Sequence, residues 1–281
     1  MNIVKYETET TEGPKPGLLA DNVVYDVESS VDGSPSFATV LERVTVGDFD
    51  GVAAALDEGE KLDRSAVRLH PPVADSGRVF CFGAVYTGHM EEEELSLTFD
   101  PNQWVMPENA IVGPEDPIVL PERVASDVMP AAELALVIGT GGKYIDPMDA
   151  YDHLAGYTVS NDVTARTDWP GPMGYKMLDS FSPVGPSIRT IDEVGDPTDL
   201  DIEIRQDGEV TCRGSTAGMR FTLSFLVSYL SAITELRPGD VISTGDPGGV
   251  DRSLEPDSTV ELEIESVGTL SNEVVRESDV E

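Results

Sequence analysis

From residue 78 onward the chain is cut into short apolar runs bounded by Gly, Pro, Asn and Asp, a pattern that restricts it to a β-rich fold. Runs at 78–83, 132–139, 186–189, 202–205, 241–244 and 259–265 have strand length, and several alternate apolar with polar residues. Asp207-Gly208, between 201–206 and 209–213, is a hairpin dipeptide, because a type I′ turn needs two residues at positive φ. Two helices interrupt the series. Asp146 caps one, with Pro147 at its first position, running through Met148 to Leu154. The other spans 220–234, with Leu223, Leu226, Leu230 and Ile233 on one face.

The N-terminal part reads differently. Strands are expected at 3–6 and 22–26, followed by helical patterns at 36–43 and 46–56. Pro71-Pro72 then punctuates the chain, since each proline disfavours helix before it. The expected organisation is a small α+β module over 1–72 and a β-rich catalytic-size domain over 73–281, together of the α+β class.

Charge excludes two partner classes. The 281 residues include 53 Asp plus Glu against 18 Lys plus Arg, a formal net charge of −35. Phosphate neutralisation needs clustered Lys and Arg, so nucleic acid is not an expected partner, and neither is an anionic membrane surface. A hydrophobic fraction of 40 % still supplies a core. Only five of the cations are lysine. Dispersed acid with so little lysine suits a cytoplasmic protein of a high-salt organism, where screening shortens self-repulsion. The first eleven residues lack a basic-then-apolar signal pattern, and the longest apolar stretch, 134–138, is far short of a membrane span.

Several motifs carry no chemistry. Cys81 and Cys212 lie in strand-like runs without a second Cys or a His at ligand spacing, and read as buried thiols. Gly139-Thr-Gly-Gly-Lys143 fails the phosphate-loop pattern, with Val137 at the first glycine and Tyr144 at the magnesium-binding hydroxyl, so it reads as a turn. The acidic run Glu91 to Glu94 is most simply a solvated helix face.

Three positions are more pointed. Glu133 is a lone carboxylate at the start of an apolar strand, so it is paired, ligated or turned to solvent. Asp162 is similar, following the apolar run 156–159, with Arg166 four residues on. Two carboxylates at strand ends near an arginine suit a hard divalent cation with an anionic ligand. His89 and Glu92, at i and i+3, could act as a base and its orienting carboxylate.

Together these segments resemble the fumarylacetoacetate hydrolase family, in the domain that ends fumarylacetoacetase. The resemblance rests on Glu133-Leu-Ala-Leu-Val-Ile-Gly139, Gly156-Tyr-Thr-Val-Ser-Asn-Asp-Val-Thr-Ala-Arg166, Ser182-Pro-Val-Gly-Pro186 and Leu236-Arg-Pro-Gly-Asp-Val-Ile-Ser-Thr-Gly245. It implies a mixed β-sandwich roll, usually a homodimer, that binds Mg²⁺ (or Mn²⁺ or Ca²⁺) through three carboxylates. It further implies catabolic action on a small 2-oxo acid or acylpyruvate-like 1,3-dicarbonyl through a metal-stabilised enolate. C–C hydrolysis is the default expectation. Sugar-acid dehydration or isomerisation, or a non-catalytic member, are the alternatives.

By the same resemblance, Glu133 and Asp162 match two of the metal carboxylates, and His89 with Glu92 matches the water-activating dyad. Lys176 matches the lysine that steadies the enolate, and Arg166 with Gly245 and Asp246 lies where substrate is held. The chain departs from the pattern at Ala131 (the first metal Glu), Val85 (Asn), Met106 (Lys) and Asp246 (Thr). Asp246 is accordingly expected to restore a carboxylate to the metal, directly or through water.

Overall fold

The computed structural model describes residues 1–28, 35–92, 100–122, 127–166 and 175–280, with Glu92 described for its backbone alone. The N-terminal region contributes β1 (Asn2–Glu7), β2 (Lys15–Ala20) and β3 (Val23–Asp26). Three helices follow, α1 (Phe37–Thr45), α2 (Phe49–Ala53) and α3 (Ala55–Glu58), and then β4 (Lys61–Asp63) and β5 (Arg68–His70). Next come β6 (Val79–Gly83), α4 (Thr87–Glu92) and β7 (Asn102–Val105), then β8 (Ile111–Val112), β9 (Ile118–Leu120) and β10 (Asp127–Met129).

The centre is built by β11 (Ala132–Ile138), β12 (Leu154–Asn161), β13 (Thr164–Arg166) and β14 (Ser182–Thr190). After α5 (Ile191–Val194) come β15 (Asp201–Gln206), β16 (Glu209–Ser215), α6 (Leu223–Ile233), β17 (Val241–Ser243), β18 (Ser258–Ile264) and β19 (Gly268–Arg276).

One long sheet runs β4-β3-β2-β1-β14-β12-β11-β17-β6-β7, with β5 added to β1 and β8 to β14. A second runs β16-β15-β18-β19-β9, and β10 pairs with β13. The N-terminal region joins the long sheet through β1, whose Asn2 and Ile3 lie opposite Arg189 and Ile188 of β14. Every residue of β11 and β12 is buried, as central strands covered on both faces require.

Alternation on β11 divides the core. Leu134, Leu136 and Ile138 pack toward Ile202, Ile204, Leu262 and Ile264 of the second sheet. Ala135 and Val137 face the other way, toward Val40, Leu41 and Val44 of α1 and toward Cys81. Glu133 shares this second face by the same period. Burying each large aliphatic side chain contributes about 1.5–3 kcal/mol.

The Asp207-Gly208 hairpin forms as expected, with φ of 52° and 78°. Both cysteines are buried thiols, and Cys212 Sγ donates to the Gly248 carbonyl at 3.2 Å. Among the described residues, no helix is long and apolar enough to cross a membrane.

Four local expectations are corrected. The helix expected from Asp146 to Leu154 is only a 3₁₀ turn over Ala150–His153, because Leu154 already enters the all-buried β12. Asp146 Oδ1 instead closes a tight turn by accepting the Met148 N–H at 2.9 Å. The second helix starts at Leu223, where Thr222 caps it, and Ile233 is 51 % exposed instead of joining the buried face. The 46–56 helix is split in two: Val46 ends α1, Gly47 turns at φ 83°, and Asp48 caps α2. Finally, β2 was hidden by Pro16 and Gly17. Gly17 is required there, since a Cβ would lie 2.9 Å from the Tyr6 ring and from Val24.

Candidate active site

The ends of β11, β12 and β17 bring three acidic residues together around Lys176. Glu133 is 1 % exposed. Its Oε2 accepts the Ser243 hydroxyl at 2.5 Å and the Gly245 N–H at 2.8 Å. Gly245 has φ +81°, and a Cβ there would sit 3.1 Å from the Phe82 carbonyl oxygen and 3.2 Å from Val85, so glycine is what lets the loop close on Glu133.

Asp162 follows β12 and its N–H donates to the Ala131 carbonyl at 3.1 Å. Its Oδ2 accepts from Lys176 Nζ at 2.5 Å, and the same ammonium donates to Thr164 Oγ1 at 2.7 Å. Asp162 Oδ1 is buried without a hydrogen-bond partner. Lys176 lies 5.3 Å from the centroid of the Trp104 ring, a cation–π distance.

Asp246 comes from the loop after β17 and accepts the Gly248 N–H at 2.8 Å. The same Oδ1 is 3.6 Å from Nδ1 of His89 on α4. His89 therefore faces Asp246. The side chain of Glu92, its expected partner, lies outside the described residues, as do Glu93 and Glu94. Arg166 ends β13, opposite Asp127 of β10, with an exposed side chain. Ala131 is buried and its N–H is held by Asn161 Oδ1 at 2.9 Å, so the position lacks a carboxylate but keeps its backbone fixed.

Electrostatics follow from burial. Desolvation pushes the Glu133 carboxyl well above the usual carboxylate range, and the neighbouring Asp162 and Asp246 push it further. Asp162 is also raised, by desolvation first, against the pull of Lys176. Burial would strip the proton from Lys176, but Asp162, Glu133 and Asp246 overcome it and hold the ammonium charged. Two neighbours that sequence reading did not place at the site share this environment. Desolvation, with Asp162 and Glu133, pushes the Cys81 thiol well up, which removes it as a nucleophile. Tyr86 is raised by desolvation, then by Glu133 and Asp246, and its hydroxyl is buried without a partner. Neither stands at a spacing that would have marked it.

The carboxyls of Glu133 and Asp162 are buried where water is scarce, and Asp162 Oδ1 is an oxygen in want of a partner. Both features fit a hard cation. Among the described residues, no three carboxylate, imidazole or thiol groups converge into a closed cage. An ion that keeps several waters and takes one or two carboxylates, in the manner of Mg²⁺, suits such a set.

A β-rich roll with buried carboxylates and a charged lysine at its strand ends is the class that fold and site define. The model for the C-terminal domain of fumarylacetoacetate hydrolase matches residues 78–275, and the chain belongs to that enzyme family. The mitochondrial oxaloacetate tautomerase FAHD2A of Bos taurus is 36 % identical over 292 residues, covering 98 % of this chain and 92 % of that protein. The fumarylacetoacetate hydrolase of Exiguobacterium antarcticum has a structure with TM-score 0.80 at 31 % identity, covering 98 % of this chain and 99 % of the other. Maleylpyruvate hydrolase of Sphingobium sp. SYK-6, solved with manganese(II) and pyruvate, has TM-score 0.80 at 25 % identity, covering 98 % and 99 %.

Proposed function

We propose that this protein is a divalent-metal-dependent enzyme that interconverts the keto and enol forms of a small dicarboxylic 2-oxo acid of the oxaloacetate type. The observation that carries the reading is the burial of the Glu133 and Asp162 carboxyls beside a charged Lys176, with Asp162 Oδ1 left without a partner. It supports a cation that a 2-oxo acid can chelate, and the likeness to oxaloacetate tautomerases supports the reaction.

In this reading Glu133 and Asp162 hold Mg²⁺ or Mn²⁺, and Asp246 contributes charge directly or through water. The ion supplies Lewis-acid polarisation of the keto and carboxylate oxygens. Lys176 offsets negative charge developing on the enolate oxygen. His89, with Asp246 beside it, takes the proton from the carbon next to the keto group, and the imidazolium so formed gives a proton to the keto oxygen, directly or through water, to complete the enol. Arg166 and the Gly245 loop border the substrate's carboxylate.

C–C hydrolysis, the expectation drawn from the sequence, is the second reading. It is favoured by His89 and Asp246 being placed to activate water, and by the likeness to fumarylacetoacetate hydrolase. The two separate in one experiment. Enzyme with Mg²⁺ or Mn²⁺ in molar KCl is given oxaloacetate, and decay of the enol absorbance is followed, with an acylpyruvate assayed in parallel for cleavage. Faster enol decay, lost in His89→Ala, supports tautomerisation; acylpyruvate cleavage without it supports hydrolysis. If no metal binds and no 2-oxo acid raises the melting temperature, the enzymatic reading fails and a non-catalytic member remains.

A further inference from the structure

α4 carries His89, and it is only six residues long, too short to hold its own shape in water. What fixes it comes from the segment before α6. The Arg220 N–H donates to the Val85 carbonyl at 2.9 Å, and Tyr86 forms an antiparallel bridge with Met219. The Arg220 guanidinium reaches beyond that bridge. Its Nη1 donates to the Ala84 carbonyl at 3.4 Å and to Met90 Sδ at 3.0 Å. One side chain thus ties the residue before the turn to the residue just after His89.

The turn needs such a tie. Ala84 stands at φ +60°, a left-handed conformation that a residue with a Cβ holds only where its surroundings impose it. The guanidinium is itself held from the far side, with its carbon 4.7 Å from the Phe221 ring centroid. Phe221 stacks on Phe225 at 5.2 Å, Phe225 meets Tyr229 at 5.7 Å, and Tyr229 meets Phe82 at 6.2 Å. Phe82 lies on β6, the strand that leads into α4. The path from strand to turn to helix is therefore closed by one aromatic row with Arg220 at its end.

We propose that Arg220 is a positioning residue for His89, acting through the turn at 84–86 and through Met90; this rests on the reading of His89 as the proton-transfer group. Both contacts come from one nitrogen, Nη1, and the plane that aims it is fixed by stacking on Phe221, which a lysine ammonium on a flexible stem cannot reproduce. Displacement of a catalytic group by about 1 Å can cost on the order of 100-fold in rate.

Arg220→Lys and Arg220→Met in the full chain test this. The expected result is a fall in kcat for oxaloacetate enol–keto interconversion of about 10–100-fold, with KM within about threefold of wild type. The chain has 3 histidines, so ¹⁵N-histidine spectra are simple to assign with His89→Ala. The His89 ring signals should move in both variants while those of His70 and His153 stay. Unchanged kcat with an unmoved His89 signal overturns the proposal. A loss confined to KM also overturns it, by making Arg220 a substrate contact. So does movement of all three histidines together with a lower melting temperature, the mark of a merely structural role. If wild type does not turn over oxaloacetate, the functional reading falls, and the His89 signals alone decide this one.

Discussion

Glu133 shows what a single residue can reveal in advance. It is the sole charged position in the seven-residue β11, and burial of that strand leaves a carboxylate no ordinary role. Its hydrogen bonds from Ser243 and Gly245 come from the end of β17 and the loop after it, 110 and 112 residues away, and nothing local in the sequence announces them. His89 makes the same point from the other side. Helical spacing offered Glu92 as its partner, since spacing finds only neighbours along the chain. The described geometry offers Asp246, 3.6 Å away and brought by tertiary folding. Asp246 also lies close enough to Glu133 and Asp162 to raise both carboxyls. If it reaches the cation through water, Asp246→Asn should weaken Mn²⁺ binding by about 10–100-fold, the range for groups that orient metal ligands. Titration calorimetry measures this independently of turnover. An unchanged Kd would leave Asp246 only its hydrogen bond to Gly248 and its place beside His89.

At the scale of elements, strands were more legible than helices. The runs that became β6, β11, β15, β17 and β18 are bounded by turn residues and have few competing readings. Helix 146–154 carried cap signals and 46–56 a helical pattern, but neither had enough uninterrupted length; the first became a 3₁₀ turn and the second two short helices. What latches the strands was hardly visible. Asp240, in Leu236-Arg-Pro-Gly-Asp240, is fully buried and binds Arg78 at the head of β6. Oδ2 accepts from Arg78 Nη2 at 2.6 Å and from the Arg237 N–H at 2.8 Å, while Oδ1 takes the Arg78 N–H at 2.9 Å. This side chain ties β6 to β17, the pair that carries the α4 turn and the Gly245 loop. Arg78→Met would leave Asp240 charged and buried, so unfolding should become easier by about 3–5 kcal/mol. Asp240→Asn should cost less, since it removes the buried charge and its single amide oxygen still accepts one of the two backbone N–H groups. Denaturant titration of both variants in molar KCl checks the order. A loss under about 1 kcal/mol for Arg78→Met would show that the pair behaves as a surface contact.

For the whole molecule, sequence fixes class better than order. The α+β character followed from the runs, but β1 beside β14, or β17 parallel to β6, is long-range pairing that leaves no periodic trace. The net charge of −35 is equally global, and its consequence is a matter of competing magnitudes. Ion pairs such as Arg276–Asp257 and Arg252–Glu209 involve exposed side chains, and each contributes roughly 0–1 kcal/mol that salt erodes. Repulsion among dozens of unmatched acids acts over longer range and is also erased by salt, as the Debye length falls from roughly 10 Å at 0.1 M to 3 Å at 1 M. With 53 acids against 18 bases the repulsive sum outweighs the pairs, so salt should stabilise. The melting temperature should climb steadily between 0.1 M and 2 M KCl, by about 2–4 °C for each kcal/mol gained in a chain of this size. The scan belongs in a chelator, so that any metal ion held at the proposed site does not contribute. A melting temperature that falls with KCl would mean that the ion pairs dominate, and the high-salt reading of the composition would be lost.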